Sequence, residues 1–395
     1  MTTTRRDFLA QAGLAAGALA VAPAAFGAPR TNKKLKLLIL GGTGFLGPHV
    51  VWDALEHGHE ITLFNRGQTN PELFSELETL TGDRYSDYAS LEAEIARGRK
   101  WDGVIDTFAY VPKVVEDAIN VLKPGIDHYV VVSTVSVYAS NDVPGMTEDA
   151  ELATVSDDVA AGIPTHREVG MHYGAMKARC EAAADRLMPG QVANVRPGLI
   201  CGARDTTGRF SYWPIRASEG GTMIAPGTPT DPVQIIDVRD LARFINRTIE
   251  DRATGAFTVV TPPGEVTMGD VIEGSIKAAG ADTTPEWINA DFLAAHGVQP
   301  WQDMPAWVPT STPGYAGFGL ASTARAQAAG LTCRPVRDTA LAALEYYRTR
   351  PDILAESMGE EFDRAQLEQR IRGGLTPMRE AEVLKAWMDR PDDAG

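Results

Sequence analysis

Short hydrophobic runs alternate with longer amphipathic segments from residue 35 onward. The runs contain few polar positions, as in strands that are buried on both faces of a parallel sheet. They lie at residues 35–40, 61–64, 104–107 and 128–133. The segments with helical spacing lie at residues 46–57, 112–122 and 173–187. Strands separated by helical crossovers predict an α/β fold with a doubly wound parallel sheet of the Rossmann type.

A glycine motif joins the first predicted strand to the first predicted helix. Gly41, Gly44 and Gly47 form the pattern G-x-x-G-x-x-G directly after the apolar run. Glycines at this point let the backbone turn tightly and let a pyrophosphate approach the N–H groups at the helix N-terminus. The order of strand, motif, helix and second strand predicts a dinucleotide site. The other residues of the motif that we expect to contact the cofactor are Thr43, Phe45 and Leu46.

The end of the second predicted strand bears on the choice between NAD and NADP. An acidic residue there accepts hydrogen bonds from the ribose of NAD, but this chain has Asn65 and Arg66. An arginine suits a 2′-phosphate, so NADP is favoured over NAD; stacking of Arg66 on adenine and exposure to solvent are the alternatives. Asp83 follows the next short strand, where a carboxylate can hold the adenine amino group. Further cofactor contacts are expected from Arg84, Thr107, Ser133 and Pro197.

Composition and charge narrow the class of protein. The chain has 395 residues, of which 44% are hydrophobic and 23% charged, as in an ordinary globular protein. Its formal net charge of -15 weighs against a nucleic-acid partner, because a surface that follows phosphates needs clustered Lys and Arg. The 3 cysteines are too few for a disulfide framework, and no metal site is predicted.

The N-terminus has the features of an export signal. Arg5 and Arg6 precede a mildly apolar stretch at residues 10–26, which resembles a twin-arginine signal peptide over residues 1–28. The alternatives are a basic, alanine-rich terminus without that role and a single membrane anchor. No stable anchor is expected, because the stretch is short and interrupted by Pro23. We therefore expect a periplasmic or extracellular protein that is exported already folded.

Candidate catalytic groups stand at the end of one strand and the start of one helix. Ser133 and Thr134 close an apolar run, and Tyr173 precedes Lys177 by four residues. Positions i and i+4 share a helix face, so the phenol and the ammonium should point the same way. A nearby ammonium favours phenolate and is expected to lower the tyrosine pKa. Such a tyrosine can exchange a proton with a substrate carbonyl or hydroxyl while a nicotinamide exchanges hydride with the same carbon.

These motifs together resemble the extended short-chain dehydrogenase/reductase family, in its NAD-dependent epimerase/dehydratase branch. The resemblance spans roughly residues 35–350. Its motifs are Gly41-x-x-Gly44-x-x-Gly47, Ser133-Thr134, Tyr173-x-x-x-Lys177 and Asn194-Val195-Arg196-Pro197-Gly198. The resemblance implies that Tyr173 is the acid/base and that Lys177 holds the nicotinamide ribose. It also implies that Thr134, four residues before Tyr138, bonds the reacting oxygen, with Ser133 as the rival for this role.

The substrate segments depart from the family pattern. Family members that act on nucleotide-linked sugars carry an arginine that grips the diphosphate, and its position here is Pro232 or Val233. This weighs against a nucleotide-sugar substrate, although Arg204, Arg209 or Arg216 could compensate. The mixed polar and aromatic loop at 205–213 suits a carbohydrate-like ligand, with Arg209 and Trp213 as candidate contacts. A surface loop pinned by its aromatic residues is the alternative.

The expected domain plan follows from these positions. The cofactor domain comprises residues 33–197, with 232–262 returning to it. A smaller α/β substrate lobe comprises residues 198–231 and 263–350. A charged helical extension at 351–395 packs on its own domain or serves a homodimer contact.

The leading hypothesis for function is an NAD(P)-dependent oxidoreductase or epimerase acting at a secondary alcohol or ketone of a small polar, sugar-like substrate. Export favours internal redox chemistry on one tightly bound cofactor, because no nicotinamide pool exists outside the cytoplasm to reoxidise it. The alternative is a dinucleotide-binding sensor or scaffold without catalysis. The intact set of Tyr173, Lys177 and Thr134 argues against that alternative.

Overall fold

Seven parallel strands form the main sheet of the protein, whose computed structural model describes residues 33–205, 207–349 and 373–390. The strands are β1 (Lys36–Leu40), β2 (Glu60–Asn65), β3 (Glu78–Thr81), β4 (Gly103–Asp106), β5 (Tyr129–Val132), β6 (Val192–Pro197) and β10 (Gly255–Val259). Their spatial order is β10-β6-β5-β4-β1-β2-β3. The predicted α/β fold with a doubly wound parallel sheet is confirmed. The order reverses between β1 and β4, and ligands bind in the crevice that such a reversal opens.

Helices cover both faces of this sheet. Those around it are α1 (Leu46–Glu56), α2 (Ala89–Ala96), α3 (Pro112–Leu122), α4 (Asp157–Ala161), α5 (Tyr173–Leu187), α7 (Val238–Glu250) and α10 (Ala324–Ala328). Leu37 and Ile39 of β1 face the core under α1 and α7, whereas Leu38 and Leu40 face the core under α3 and α5. This alternation explains the continuous apolar run of β1, since both faces of the strand are buried.

A second hydrophobic core lies among elements outside the main sheet, which we call the smaller lobe. Its strands form two pairs, β7 (Leu199–Cys201) with β9 (Ile235–Asp237) and β8 (Gly221–Pro226) with β11 (Thr283–Ile288). Its helices are α6 (Tyr212–Ser218), α8 (Met268–Ala279), α9 (Ala290–Ala295), α11 (Val336–Arg348) and α12 (Pro377–Met388). The Glu380 carboxylate of α12 accepts hydrogen bonds from Arg216 of α6 and from the backbone of Ile224 in β8. This helix is thereby fixed to the lobe.

Two predictions concern segments outside the described residues, namely the signal at 1–28 and the first part of the extension, at 351–372. Within the described part of the chain, no helix combines the length and the apolar character that crossing a membrane requires.

Candidate active site

A cavity of about 400 Å³ opens at the carboxyl ends of the central strands. Fourteen of the residues predicted from the sequence line it. They are Gly41, Thr43, Gly44, Phe45, Leu46, Gly47, Asn65, Arg66, Asp83, Arg84, Thr107, Ser133, Tyr173 and Lys177. The cavity therefore joins the glycine motif at one side to the tyrosine and lysine of α5 at the other.

The glycine motif forms a turn that only glycine allows. Gly41 and Gly42 have φ of +112° and +99°, in the region that side chains with a Cβ avoid. A Cβ on Gly47 would lie 2.6 Å from the backbone of Gly42, so α1 packs directly against the turn. No side chain caps the N-terminus of α1, which begins at Leu46 beside the cavity. The free N–H groups and the helix dipole fit a bound pyrophosphate.

Asn65 and Arg66 serve different purposes at the end of β2. The Asn65 side chain donates to the carbonyl of Gly41 (3.2 Å) and accepts from the N–H of Gly67 (2.8 Å), so it braces the glycine turn. Arg66 is exposed, lines the cavity and forms no ion pair with the residues that the structure describes. The guanidinium of Arg66 can therefore contact a ligand, whereas the side chain of Asn65 is already bonded to the backbone.

Arg84 is a buried brace that also lines the cavity, and its expected contact to the cofactor stays a prediction. Its guanidinium donates to both carboxylate oxygens of Asp106, at 2.8 and 2.7 Å. Burial alone would raise the pKa of Asp106, but Arg84 and a hydrogen bond from the Tyr129 hydroxyl (2.6 Å) outweigh it and lower the pKa. Asp83 keeps its cavity position while accepting from the N–H of Tyr85 (2.8 Å).

Tyr173 and Lys177 reach the cavity from the first turn of α5. Burial raises the pKa of Tyr173 to about 12, and the Tyr110 phenol adds to this, while Thr134 and Arg209 act in the opposite direction. Lys177 is 3% exposed and donates to the carbonyl of Val132 (2.5 Å). Burial lowers the pKa of this lysine. The expectation that Lys177 lowers the tyrosine pKa is therefore wrong for this structure, because desolvation dominates and the phenol stays protonated at neutral pH.

Two adjacent hydroxyls at the end of β5 differ in their bonding. Thr134 Oγ1 accepts from the backbone of Ser136 (3.2 Å) and donates to the Ser136 hydroxyl (3.3 Å). Ser133 Oγ is buried, lines the cavity and has no hydrogen-bond partner among the described residues. A buried hydroxyl without a partner is costly, so the Ser133 position is satisfied best by a bound ligand.

Four predicted residues lie outside the cavity lining, and Thr134, described above, is one of them. Trp213 has no exposed surface, donates from Nε1 to the carbonyl of Pro305 (2.8 Å) and packs in the core of the smaller lobe, so its predicted substrate contact is wrong. Pro197 ends β6, where it pairs with Val259. Arg209 is half-buried and donates from Nε to Thr207 (3.0 Å). The charge of Arg209 lowers the pKa of the Tyr173 and Tyr110 phenols, against the larger effect of burial.

The sequence analysis missed an aromatic wall of the cavity. Its members are Tyr85, Phe108, Tyr110 and His166. The first three follow β3 and β4, and their position after strands of the parallel sheet could have indicated that they line the site. His166 lies in the long segment between β5 and α5 and had no such signal. The described residues include no group of His, Cys, Asp and Glu side chains that could hold a metal ion.

Comparisons with known proteins agree with this geometry. Residues 37–260 match the model of the NAD dependent epimerase/dehydratase family. The chloroplast stem-loop binding protein of 41 kDa b from Arabidopsis thaliana is 25% identical over 63% of this chain and 64% of its own length, so the chain spans less than two thirds of that relative. A crystal structure of UDP-glucose 4-epimerase matches with a TM-score of 0.57 and 15% identity, covering 80% of this chain and 98% of that chain.

A second solved structure, UDP-glucuronic acid 4-epimerase from Bacillus cereus in complex with NAD, gives a TM-score of 0.56 and 15% identity, covering 80% of this chain and 97% of that chain. At this identity the two structures show a shared fold. The family model covers more than half of the chain, including the glycine turn, Tyr173 and Lys177. The chain belongs to the NAD dependent epimerase/dehydratase family.

Proposed function

We propose that the protein is an NAD(P)-dependent epimerase or oxidoreductase that acts at a secondary alcohol or ketone of a small polar, sugar-like substrate. The observation that carries the proposal is the position of Tyr173. Its protonated phenol lines the same cavity as the glycine turn and the Ser133 hydroxyl, which has no hydrogen-bond partner in the described part of the chain. A nicotinamide dinucleotide supplies a hydride acceptor and donor when it is bound.

The cavity residues fit such a dinucleotide along its whole length. The turn at Gly41–Gly47 and the uncapped start of α1 suit its pyrophosphate. Asp83 suits the adenine amino group, and the unpaired Arg66 favours the 2′-phosphate of NADP over NAD. Lys177 and Ser133 are proposed to hold the nicotinamide side, and their position in the cavity lining with Tyr173 supports this.

Tyr173 is proposed to hold the proton that the substrate oxygen exchanges. With its pKa raised to about 12 by burial, the phenol is a proton donor at neutral pH. It can donate to a substrate oxygen that gains negative charge, and it takes the proton back when that oxygen becomes a carbonyl. Thr134 forms a hydrogen bond with the Tyr173 phenol that lowers its pKa, and Ser133 Oγ has no hydrogen-bond partner among the described residues. Both hydroxyls are therefore candidates to orient the substrate oxygen.

The proposed substrate class rests on two observations. One is the position of Arg209, and the other is that Pro232 or Val233 stands where nucleotide-sugar enzymes carry an arginine. Arg209 acts electrostatically on Tyr173, and Thr207 holds its Nε, so its terminal nitrogens suit a polar substituent of the substrate. Val233, one of two positions for the diphosphate-gripping arginine, is fully buried in the lobe core. This supports a substrate without a nucleoside diphosphate.

Export would favour internal redox chemistry. If the twin-arginine segment works as proposed, the folded protein leaves the cytoplasm with its cofactor. An epimerase returns the hydride to its own substrate, so it needs no external pool of nicotinamide. We therefore include a tightly held cofactor and a periplasmic or extracellular location in the proposal.

The test compares the wild type with Tyr173→Phe on a panel of polyols, sugars and ketoses with NAD and NADP. Loss of a positioned acid/base costs about 10²- to 10⁴-fold in rate, and dinucleotide binding should persist. Equal rates in the two proteins, or no turnover by nucleotide-loaded wild type, would contradict the catalytic assignment. The second outcome would favour a binding protein without catalysis, a function that the name of the Arabidopsis relative suggests for that protein.

A further inference from the structure

The segment between β5 and α5 borders the cavity at one end. His166 from this segment lines the cavity together with Tyr85 and Phe108, which follow β3 and β4. Asp83 and Arg66 line the same cavity, and the charge of Arg66 acts on His166. These neighbours stand at the ends of β2 and β3, far along the sheet from α5. His166 therefore borders the side of the cavity where the nucleoside is proposed to bind, and its ring also lies 6.0 Å from that of Tyr110.

Residues 163–169 are anchored at both ends by apolar contacts. Ile163 and Val169 are only 6% and 8% exposed. They pack in one cluster with Val111 and Val114, at the start of α3, and with Met176 of α5. The anchors hold the segment to two helices beside the site, and His166 in its middle lines the cavity.

One hydroxyl fixes the middle of the segment. The Tyr85 hydroxyl accepts from the backbone N–H of His166 (2.9 Å) and pairs with Nδ1 of the same residue (2.9 Å). Burial and the charges of Arg167 and Arg66 lower the pKa of His166, so its ring is neutral and Nδ1 can accept. Tyr85 follows β3 and His166 follows β5, so these two hydrogen bonds connect two separate segments of the cavity lining.

The same residues present aromatic rings to the cavity. The His166 ring lies 4.8 Å from Phe108, nearly perpendicular to it, and 6.1 Å from the roughly parallel Tyr85 ring. Three rings from three separate elements thus meet at the proposed nucleoside end. Aromatic faces stack on nucleobases irrespective of base identity, so this arrangement suits a purine.

We propose that residues 163–169 form a strap that retains the purine dinucleotide in the cavity. In this strap the Tyr85–His166 pair is the latch, and Phe108 is a further wall for the base. The strap rests on the proposed function, because it requires a dinucleotide in the cavity. It explains how the protein would keep one cofactor through repeated turnovers, which export demands.

The experiment measures the rate at which bound dinucleotide leaves the intact protein. Wild type, Tyr85→Phe and His166→Ala are loaded with fluorescent NADH or NADPH and then chased with excess NAD or NADP. Loss of the His166 ring should speed release by about five- to one-hundred-fold, the range of one base–aromatic contact. Tyr85→Phe keeps the ring and removes both hydrogen bonds, so a smaller increase of a few-fold, up to about tenfold, is expected.

Two matched variants control for the chemistry of each substitution. Tyr315→Phe removes a hydroxyl from a tyrosine that is 38% exposed and outside the cavity lining. His57→Ala removes an exposed histidine at the end of α1. Both should release the dinucleotide at the wild-type rate.

The outcomes separate the strap from the proposed function. If the wild type holds the dinucleotide and both latch variants release it no faster than the controls, the strap is wrong and the proposed function stands. If the wild type binds neither dinucleotide, the proposed function fails and the strap fails with it. Faster release from the latch variants with unchanged thermal unfolding of the unloaded proteins is the result that the strap requires.

Discussion

The main sheet and the smaller lobe use aromatic side chains in opposite ways. Around the main sheet, Tyr85, Phe108 and Tyr173 are partly buried and line the cavity. In the lobe, Trp213 and Trp307 are 0% and 1% exposed and form the centre of a sealed core. An aromatic residue just after a buried parallel strand, as Phe108 is after β4, could therefore have indicated the site. The aromatic residues of the polar loop at 205–213, in contrast, pack in the core of the lobe.

The largest expected effect tests whether Trp213 belongs to the lobe core. Trp213→Ala leaves a large cavity among Phe210, Met223 and their neighbours, so the free energy of unfolding should fall by about 3–5 kcal/mol. Denaturant unfolding measures this. Trp301→Ala is the matched control, because Trp301 is 37% exposed, and its change should be small. A stable Trp213→Ala protein with impaired turnover would restore Trp213 as a substrate contact.

A second test asks whether Arg84 braces the main sheet or binds cofactor. Arg84→Met leaves the Asp106 carboxylate buried without its partner, which costs about 3–5 kcal/mol of unfolding free energy. Arg97→Met breaks a surface pair with Glu94 instead and should cost less than about 1 kcal/mol. Weakened dinucleotide binding at unchanged stability would show that Arg84 is a direct contact.

The junction between the two regions should respond to acid. His49 of α1 donates to the carbonyl of Ala203 (3.1 Å), and burial lowers its pKa from 6.5 to about 4. The unfolded chain then binds more protons below pH 6.5, so stability is full above that pH and falls toward pH 4. The loss due to this residue is about 3 kcal/mol.

Denaturant unfolding at a series of pH values, with His49→Gln beside the wild type, measures this dependence. The variant should show a shallower fall between pH 6.5 and pH 4. Burial likewise lowers the pKa of His128 to about 4, so part of the dependence should remain. Identical pH profiles in the two proteins would contradict the contribution assigned to His49.

The smallest effect concerns the choice of cofactor. Arg66→Ala should weaken NADP binding about tenfold and leave NAD binding nearly unchanged, because a charge-assisted contact to the 2′-phosphate is lost. Calorimetric titration with both nucleotides measures the two affinities. Arg97→Ala, far from the cavity lining, should change neither. Equal losses for NAD and NADP would place Arg66 on the adenine or on the pyrophosphate.

Local patterns predicted the parts of the molecule that local forces decide. The helices at 112–122 and 173–187 match α3 and α5 residue for residue, since apolar spacing and Pro112 define them. The glycine turn followed from its own backbone requirements. Side-chain partners far apart in sequence could not be predicted in this way. Arg84 and Asp106 are 22 residues apart, and nothing in either neighbourhood indicates the pair.

The pKa of Tyr173 illustrates the same limit. The i, i+4 spacing correctly places Tyr173 and Lys177 on one face of α5, and both line the cavity. The direction of the pKa shift depends on burial and on the Tyr110 phenol, which outweigh the opposing hydrogen bond from Thr134 after β5. These two residues come from the segments after β4 and β5, so only the folded structure decides the balance.

The central claim is that the cavity of the main sheet holds NAD or NADP. The most direct measurement is to denature the purified protein and identify any released nucleotide by mass spectrometry and ultraviolet absorbance, with a calorimetric titration of the folded protein beside it. The account predicts NADP or NAD, released in stoichiometric amount or bound on addition. A protein that releases neither nucleotide and binds neither on titration would contradict it.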